Sequence, residues 1–439
     1  MSPEPSAAIS AMGGGTDSGT DAAAIDFVYD VVCPYAYLAS LRIGSIAERL
    51  DVTVRWRPVL LGGLFREIGA DVDPNLTMPP ARAAMQRRDR ARCAELRGAA
   101  LRSDVDRPGR TVRAMRLCTA ARGAARPAVS RALFDAHWVS GRDVADPRVV
   151  DEIAADHGID AAVLERPETK QALRATTSWA ATRGVFGVPT FVTGGRTWWG
   201  ADRIELMVAA LGGEGAVDRD PGGRDPGGQM PSARRSALRI ECFHDFASPF
   251  SYLAVAALEA VTQRYGVSVQ WRPTLVGALF KAIGTADVPL LTMPKAKQAY
   301  VRQDLADWAR VRGVPFRFPT HFPLRSVLPL RVALQQPAVT PALYRAAWVD
   351  DRRIDGPDTL GPVLAAAGFD AQALLRGAGE PRIKDALRAN TERARSLHAC
   401  GVPTIVVYDE TRPEPLVLWG QDRLGTVDAV CRGFWPTAG

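Results

Sequence analysis

Two stretches of the sequence place a nucleophile, or a hydroxyl able to serve one, where a strand gives way to a helix. One reads Asp30-Val-Val-Cys33-Pro34-Tyr35-Ala36-Tyr37, the other Asp245-Phe-Ala-Ser248-Pro249-Phe250-Ser251-Tyr252. Proline suits the first helical turn, where its missing N–H would have had no partner. The side chain just ahead of it faces unpaired N–H groups and the positive end of the helix dipole, an environment that favours an anion. A cysteine there is shifted towards the thiolate and becomes a nucleophile near neutral pH. A serine does not ionise usefully, but its hydroxyl can donate to a thiolate brought by another molecule. The plainer alternatives are an inert buried thiol at Cys33 and an ordinary helix cap at Ser248.

Two further pairs of motifs surround these junctions. Gly187-Val188-Pro189-Thr190 recurs as Gly401-Val402-Pro403-Thr404. A proline entering a strand removes a ladder donor, so it marks an edge strand or a cis X-Pro turn. With a cis bond, the main chain of Val188 and Val402 would face a ligand and pair with an extended, peptide-like molecule. Trp199-Gly200-Ala201-Asp202-Arg203 recurs as Trp419-Gly420-Gln421-Asp422-Arg423. Asp202 and Asp422 stand at the start of a last helix, either as caps or as carboxylates that grip the α-amino group of a peptide. Gln421 adds an amide that Ala201 lacks.

These doublets are parts of one long repeat. Residues 25–79 align with 240–294 at a constant offset of 215, with 23 identities in 55 positions, among them Trp56-Arg57-Pro58 with Trp271-Arg272-Pro273. A period of that size means two duplicated domains, not a solenoid. Each opens with a β-rich run (Ile25–Tyr29, Arg239–Phe243), a helix and a second strand (Val52–Arg57, Val267–Arg272). About 120 residues of helical periodicity follow. Each closes with a strand after Val-Pro-Thr, a turn, another strand and a helix (Ile204–Leu211, Leu424–Phe434). The expected fold class is α/β, with two domains of like build, 25–211 and 238–436. Each has a helical insertion, about 64–182 and about 279–397, between its β-α-β and β-β-α halves. Residues 1–24 read as disordered and 212–237, rich in Gly, Pro and charge, as a flexible linker.

Composition narrows the function classes. The chain has 439 residues and a formal net charge of +7. Residues 82–116 hold eleven Arg against four acids, which accounts for the whole excess. That segment has no aromatic residue to stack bases, so a solvated helical face is expected, with a funnel for anions as the alternative and no nucleic-acid partner. The equivalent segment of the second repeat carries Tyr300, Trp308, Phe316, Phe318 and Phe322, as helical core or as a hydrophobic substrate wall. Five scattered His give no metal-ligand spacing, so no metal is expected. Six cysteines form no CxxC pair, and Ala36 and Ser251 stand where a second motif cysteine would be needed. The cysteine usage and an N-terminus without a basic-then-apolar leader point to a cytoplasmic protein. No apolar run reaches membrane-spanning length.

Both repeats resemble the DsbA-like thioredoxin-fold family with an inserted helical domain. The second is most similar to 2-hydroxychromene-2-carboxylate isomerases and kappa-class glutathione transferases. The likeness is carried by the Ser248 junction, Trp271-Arg272-Pro273, the run from Lys297 to Pro315, His321-Phe322-Pro323, Gly401-Val402-Pro403 and Trp419 to Arg423. It implies a glutathione-dependent isomerase, or a related transferase, acting on a small aromatic substrate. Glutathione, or another low-molecular-weight thiol, would lie against Val402 and Pro403 with its γ-glutamyl end at Gln421 and Asp422. Ser248 would hold its thiolate and Lys297 would assist the anionic tripeptide. Thr285 stands where the family often has Asn. In the first repeat Cys33, with Val188, Pro189 and Asp202, forms either a monothiol site or a diverged structural half. Two alternatives stay open: a thiol-disulfide oxidoreductase using Cys33, and a non-catalytic peptide-binding or assembly protein. Because related proteins dimerise, the tandem is expected to be a monomeric pseudo-dimer or a homo-oligomer.

Overall fold

The computed structural model describes residues 24–70, 78–102, 104–105, 109–213 and 237–437. The expectations for residues 1–23 and for most of the linker lie outside the described residues. The first domain runs β1 (Ala24–Tyr29), α1 (Pro34–Ser40), α2 (Ile43–Leu50), β2 (Thr53–Pro58) and α3 (Leu61–Glu67). It continues with α4 (Pro80–Leu96), α5 (Val112–Ala120), α6 (Ala125–Trp138), α7 (Pro147–Asp156) and α8 (Pro167–Thr182), then β3 (Thr190–Thr193), β4 (Arg196–Trp199) and α9 (Ile204–Ala210). The second runs β5 (Leu238–His244), α10 (Pro249–Gln263), β6 (Val269–Pro273), α11 (Val276–Ile283), α12 (Pro289–Thr292) and α13 (Lys295–Val311). After it come α14 (Val327–Gln335), α15 (Thr340–Trp348), α16 (Pro357–Ala366), α17 (Ala371–Gly377), α18 (Pro381–Ser396), β7 (Thr404–Asp409), β8 (Leu416–Trp419) and α19 (Leu424–Cys431).

Each domain holds one four-stranded sheet, ordered β2-β1-β3-β4 and β6-β5-β7-β8. β1 pairs parallel with β2 and antiparallel with β3, which sets Phe27 opposite both Trp56 and Phe191. A strand covered on both faces reads as a continuous apolar run, and Ile25, Phe27, Val28 and Tyr29 are all fully buried. Phe27, Tyr29, Trp56 and Phe191 form one aromatic group, each fully buried ring worth on the order of 1.5–3 kcal/mol over exposure. The two opening helices differ. The second domain's runs unbroken as α10, while the first domain's breaks at Leu41-Arg42 into α1 and α2.

The domains clasp each other through equivalent helices. Along the sheet edge of the first domain, Gln303 of α13 donates to the Thr197 carbonyl at 2.8 Å, and the Trp199 N–H donates to Tyr300 at 2.9 Å. Along the other sheet edge, Arg92 of α4 donates to the Val417 carbonyl at 2.7 Å. Each inserted helix thus covers the other domain's outer strand, which removes an exposed edge. The expectation of a solvated face over 82–116 is corrected here: Arg90 and Arg92 are buried. A helix polar on every side suits a bridge between domains.

Candidate functional site

The two strand-to-helix junctions are built alike. Asp30 is fully buried and takes N–H bonds from Val32 at 3.1 Å and Leu61 at 2.9 Å. Asp245 does the same with Ala247 at 2.9 Å and Val276 at 2.8 Å. Each carboxylate ties the turn to the helix after the second strand. Burial pushes the Asp245 carboxyl up, against the bonds from Ala247, Ser326 and Val276. The sequence shows both aspartates as an identity across the repeat, yet gives them no role; the positioning role emerges only from these bonds.

At the end of the turn, Ser248 caps α10. Its Oγ accepts from the Ser251 N–H at 3.2 Å and donates to the Val402 carbonyl at 3.2 Å. Cys33 makes no side-chain cap, and its Sγ reaches the Val188 carbonyl at 3.2 Å. The Val188-Pro189 and Val402-Pro403 bonds are both cis. Trp199 and Trp419 close behind these turns. A Cβ on Gly187 would lie 2.7 Å from Trp199 Nε1, and one on Gly401 3.0 Å from Trp419 Nε1, so bare backbone is needed at both.

All ten candidate site residues border one cavity of about 1990 Å³ between the domains: Cys33, Val188, Pro189, Asp202, Ser248, Lys297, Val402, Pro403, Gln421 and Asp422. Phe250, Phe280, Tyr300 and Phe322 supply aromatic wall. Tyr300 and Trp308 are buried, while Phe316, Phe318 and Phe322 pack around Trp348.

Gln421 is buried at 1% exposure. Arg312 donates to its Oε1 and, at 2.8 Å, to its main-chain carbonyl. Its Nε2 is buried without a partner among the described residues. An unpaired buried donor is costly, and this one belongs to a residue that borders the cavity. Asp202 and Asp422 do not cap. Asp422 accepts from Arg203 at 2.6 Å and Asp202 from Arg423 at 2.9 Å, across the domain boundary. Arg203 also holds Asp304 at 2.8 Å, and Arg423 holds Asp89 at 2.6 Å. Burial pushes Asp202 up, but the Arg203 and Arg423 guanidiniums outweigh it and hold the carboxyl well below the usual range.

Lys297 borders the cavity. Its Nζ lies 4.9 Å from the Trp199 ring and 5.9 Å from Phe186, both in the first domain. Burial, then the neighbouring Arg82, pull it down to about 8. Arg82, which the sequence reading folded into a charged face, lies 5.3 Å from the Trp419 ring of the second domain.

The DSBA-like thioredoxin domain model matches residues 24–212 and again 239–430. The chain belongs to that family. It is 28% identical over 189 residues to a 2-hydroxychromene-2-carboxylate isomerase of Pseudomonas putida, across 42% of this chain and 90% of the relative. It is 27% identical over 201 residues to glutathione S-transferase kappa 1 of Homo sapiens, across 42% and 87%. Among solved structures, a 2-hydroxychromene-2-carboxylate isomerase aligns over 43% of this chain and 94% of its own at 25% identity, with a TM-score of 0.38. Its relatives are therefore isomerases and glutathione transferases, each the size of one DSBA-like unit. No helix among the described residues is long and apolar enough to cross a membrane.

Proposed function

We propose that the second domain is a glutathione-dependent isomerase of the 2-hydroxychromene-2-carboxylate isomerase type, or a closely related transferase, acting on a small aromatic substrate. The observation that carries this reading is the Ser248 hydroxyl held between a helix N-terminus and the Val402 carbonyl, beside the cis Val402-Pro403 bond. The residues present fit an anionic thiol peptide. The orphaned Nε2 of Gln421 awaits an acceptor. Asp422 accepts from Arg203 and pairs with Arg423 at 3.3 Å, and its carboxylate keeps acceptor capacity beyond these, enough to take an ammonium. Val402 offers main chain to a peptide.

When bound, a thiol held by Ser248, Val402, Gln421 and Asp422 would supply a nucleophile for reversible addition to a carbon–carbon double bond, the chemistry an isomerisation about that bond needs. Ser248 turns its hydroxyl proton from the Val402 carbonyl to the sulfur and so favours the thiolate. The Ser251 N–H keeps the hydroxyl oxygen in place. The aromatic wall of Phe250, Phe280, Tyr300 and Phe322 offers apolar contact to the substrate ring. A transferase shares the addition and releases the adduct.

The test is thiol-dependent turnover of 2-hydroxychromene-2-carboxylate, and of an electrophilic aromatic transferase substrate, by the full chain. Equal rates with and without glutathione overturn the reading. A second reading concerns the first domain, where Cys33 occupies the Ser248 position with its own sulfur 3.2 Å from the Val188 carbonyl. There the chain would provide a monothiol for thiol-disulfide exchange. Ala36 excludes a disulfide within the motif. Loss of reductase activity in Cys33→Ser would support this, and unchanged activity would remove it.

A further inference from the structure

The two helical insertions share one arginine and surround it differently. Arg116 of α5 and Arg331 of α14 are related by the same 215-residue offset as the repeats, each five residues past a buried Thr111 or Ser326 at the helix start. In the first domain Arg116 pairs with Glu165 at 2.9 Å, and Arg113 pairs with Asp151 at 2.5 Å and with Glu165 at 3.2 Å. In the second domain everything around the arginine has turned apolar. Leu328 stands in place of Arg113. Gly361, four residues past the proline that opens α16, stands in place of Asp151 in α7. Leu375, five residues past the capping Asp370, stands in place of Glu165, five past the capping Asp160. A Cβ on Gly361 would meet Leu375 at 3.5 Å. Among the described residues no hydrogen bond or ion pair engages the Arg331 guanidinium, and its Nε is buried without a partner. A buried donor of a charged group left unpaired is costly, so the second domain has given up a counter-ion that the first domain keeps.

Arg331 borders the cavity, and Arg116 does not. With Leu275 and Val327, Arg331 forms the sill between the cavity and a groove of about 390 Å³ beside α11, α14 and α18. Asp355, which also borders the cavity, is taken by Arg353 at 2.6 Å. Ser326 bonds the Asp245 carboxyl that braces the Ser248 turn. Arg331 therefore stands about 7.5 Å along the helix axis from the point where α14 is tied to that turn. We propose that Arg331 recognises the carboxylate of the aromatic acceptor in the second domain's site, and that the first domain, whose Arg116 is neutralised by Glu165, lacks this recognition. A guanidinium takes a carboxylate through two parallel hydrogen bonds, and Leu275 and Val327 give the adjoining ring an apolar seat. The inference rests on the reading of the second domain as acting on a small aromatic molecule; the identity of the thiol plays no part in it.

The experiment uses the full chain, with calorimetric binding of 2-hydroxycinnamate, its methyl ester and S-methylglutathione to wild type, Arg331→Gln and Arg331→Lys. Circular dichroism and the unfolding midpoint check that the variants fold. The expected result is at least a tenfold weaker binding of 2-hydroxycinnamate to R331Q, with recovery in R331K and less than a twofold change for the ester and for S-methylglutathione. Equal binding of 2-hydroxycinnamate to wild type and R331Q, with S-methylglutathione still bound, overturns the inference while the glutathione reading stands. The expected loss for 2-hydroxycinnamate in a protein that binds no S-methylglutathione upholds Arg331 and removes the glutathione reading. An equal loss for the ester or for S-methylglutathione overturns the assignment to the acceptor's carboxylate, as does a wild type that binds no 2-hydroxycinnamate.

A second pair of variants leaves Arg331 in place and returns the counter-ion of the first domain. Leu375→Glu should weaken 2-hydroxycinnamate binding at least fivefold, while the uncharged Leu375→Gln should change it less than twofold. Unaltered affinity in a folded L375E, or an equal loss in L375Q, overturns the inference.

Discussion

Replacing Ser248 with Ala isolates one hydrogen bond to sulfur. In the free protein the hydroxyl makes two bonds, from Ser251 and to Val402, both 3.2 Å. Loss of the cap costs about 1 kcal/mol, a fall of about 2–4 °C in the unfolding midpoint for a domain of this size. The functional loss is separate and larger in its consequence. A hydrogen bond to a charged group contributes about 1.5–3 kcal/mol, and one pKa unit is about 1.36 kcal/mol. The bound thiol should therefore titrate about one to two units higher in S248A. At neutral pH the thiolate fraction, and with it turnover, falls about 10- to 100-fold. The rates converge as the pH rises past both values, because the thiolate then forms unaided. The assay is the ultraviolet thiolate absorbance of the glutathione complex against pH, alongside the pH profile of turnover. An unchanged titration with a still-folded variant refutes the assignment of Ser248 as the thiolate's donor.

Other consequences follow from the same geometry. Lys297 is pulled down to about 8 by burial and Arg82. Anion affinity should thus weaken as the pH rises through that value, and Lys297→Arg should abolish the dependence in calorimetry. Because the folded value lies below the unfolded one, the unfolded chain binds the extra proton between the two, so stability gains with rising pH there. Lys297→Met should accordingly raise the urea midpoint while weakening binding. Arg203→Ala leaves Asp202, Asp304 and Asp422 without their shared cation. It should destabilise by about 3–5 kcal/mol, recovered in part as the pH falls and the carboxylates protonate. Equal destabilisation at every pH would contradict this. Among the six cysteines, Cys33 should alkylate first at neutral pH. Burial pushes the Cys93, Cys118 and Cys400 thiols up to about 11 and Cys431 to about 12. Peptide mapping that finds another cysteine ahead of Cys33 would count against the reading.

The parts of the fold set by local pattern were readable from the chain. Apolar runs such as Ile25–Tyr29 and the identities across the repeat gave the strands, and Val-Pro-Thr in duplicate marked the cis turns. The Ser248 junction and its Val402 partner likewise follow from motifs whose placement the thioredoxin-like topology determines. What stayed hidden depends on how two domains dock. Spacing within the chain says nothing about which tryptophan Lys297 covers, so it reads as a residue of its own domain. Arg82 is lost among eleven arginines until α4 is seen to cross into the second domain. Asp202 and Asp422 look like caps because their true partners, Arg423 and Arg203, lie some 220 residues away in the sequence.

The reciprocal clasp of α4 and α13 has an evolutionary reach. An assembly of identical subunits changes both of its pockets with every mutation, so a gain in one is forced upon the other. Here the halves are joined covalently and inherited as separate text. One domain can keep a hydroxyl at its helix start while its twin carries a thiol there, and the shared interface holds the two together as their sequences drift apart.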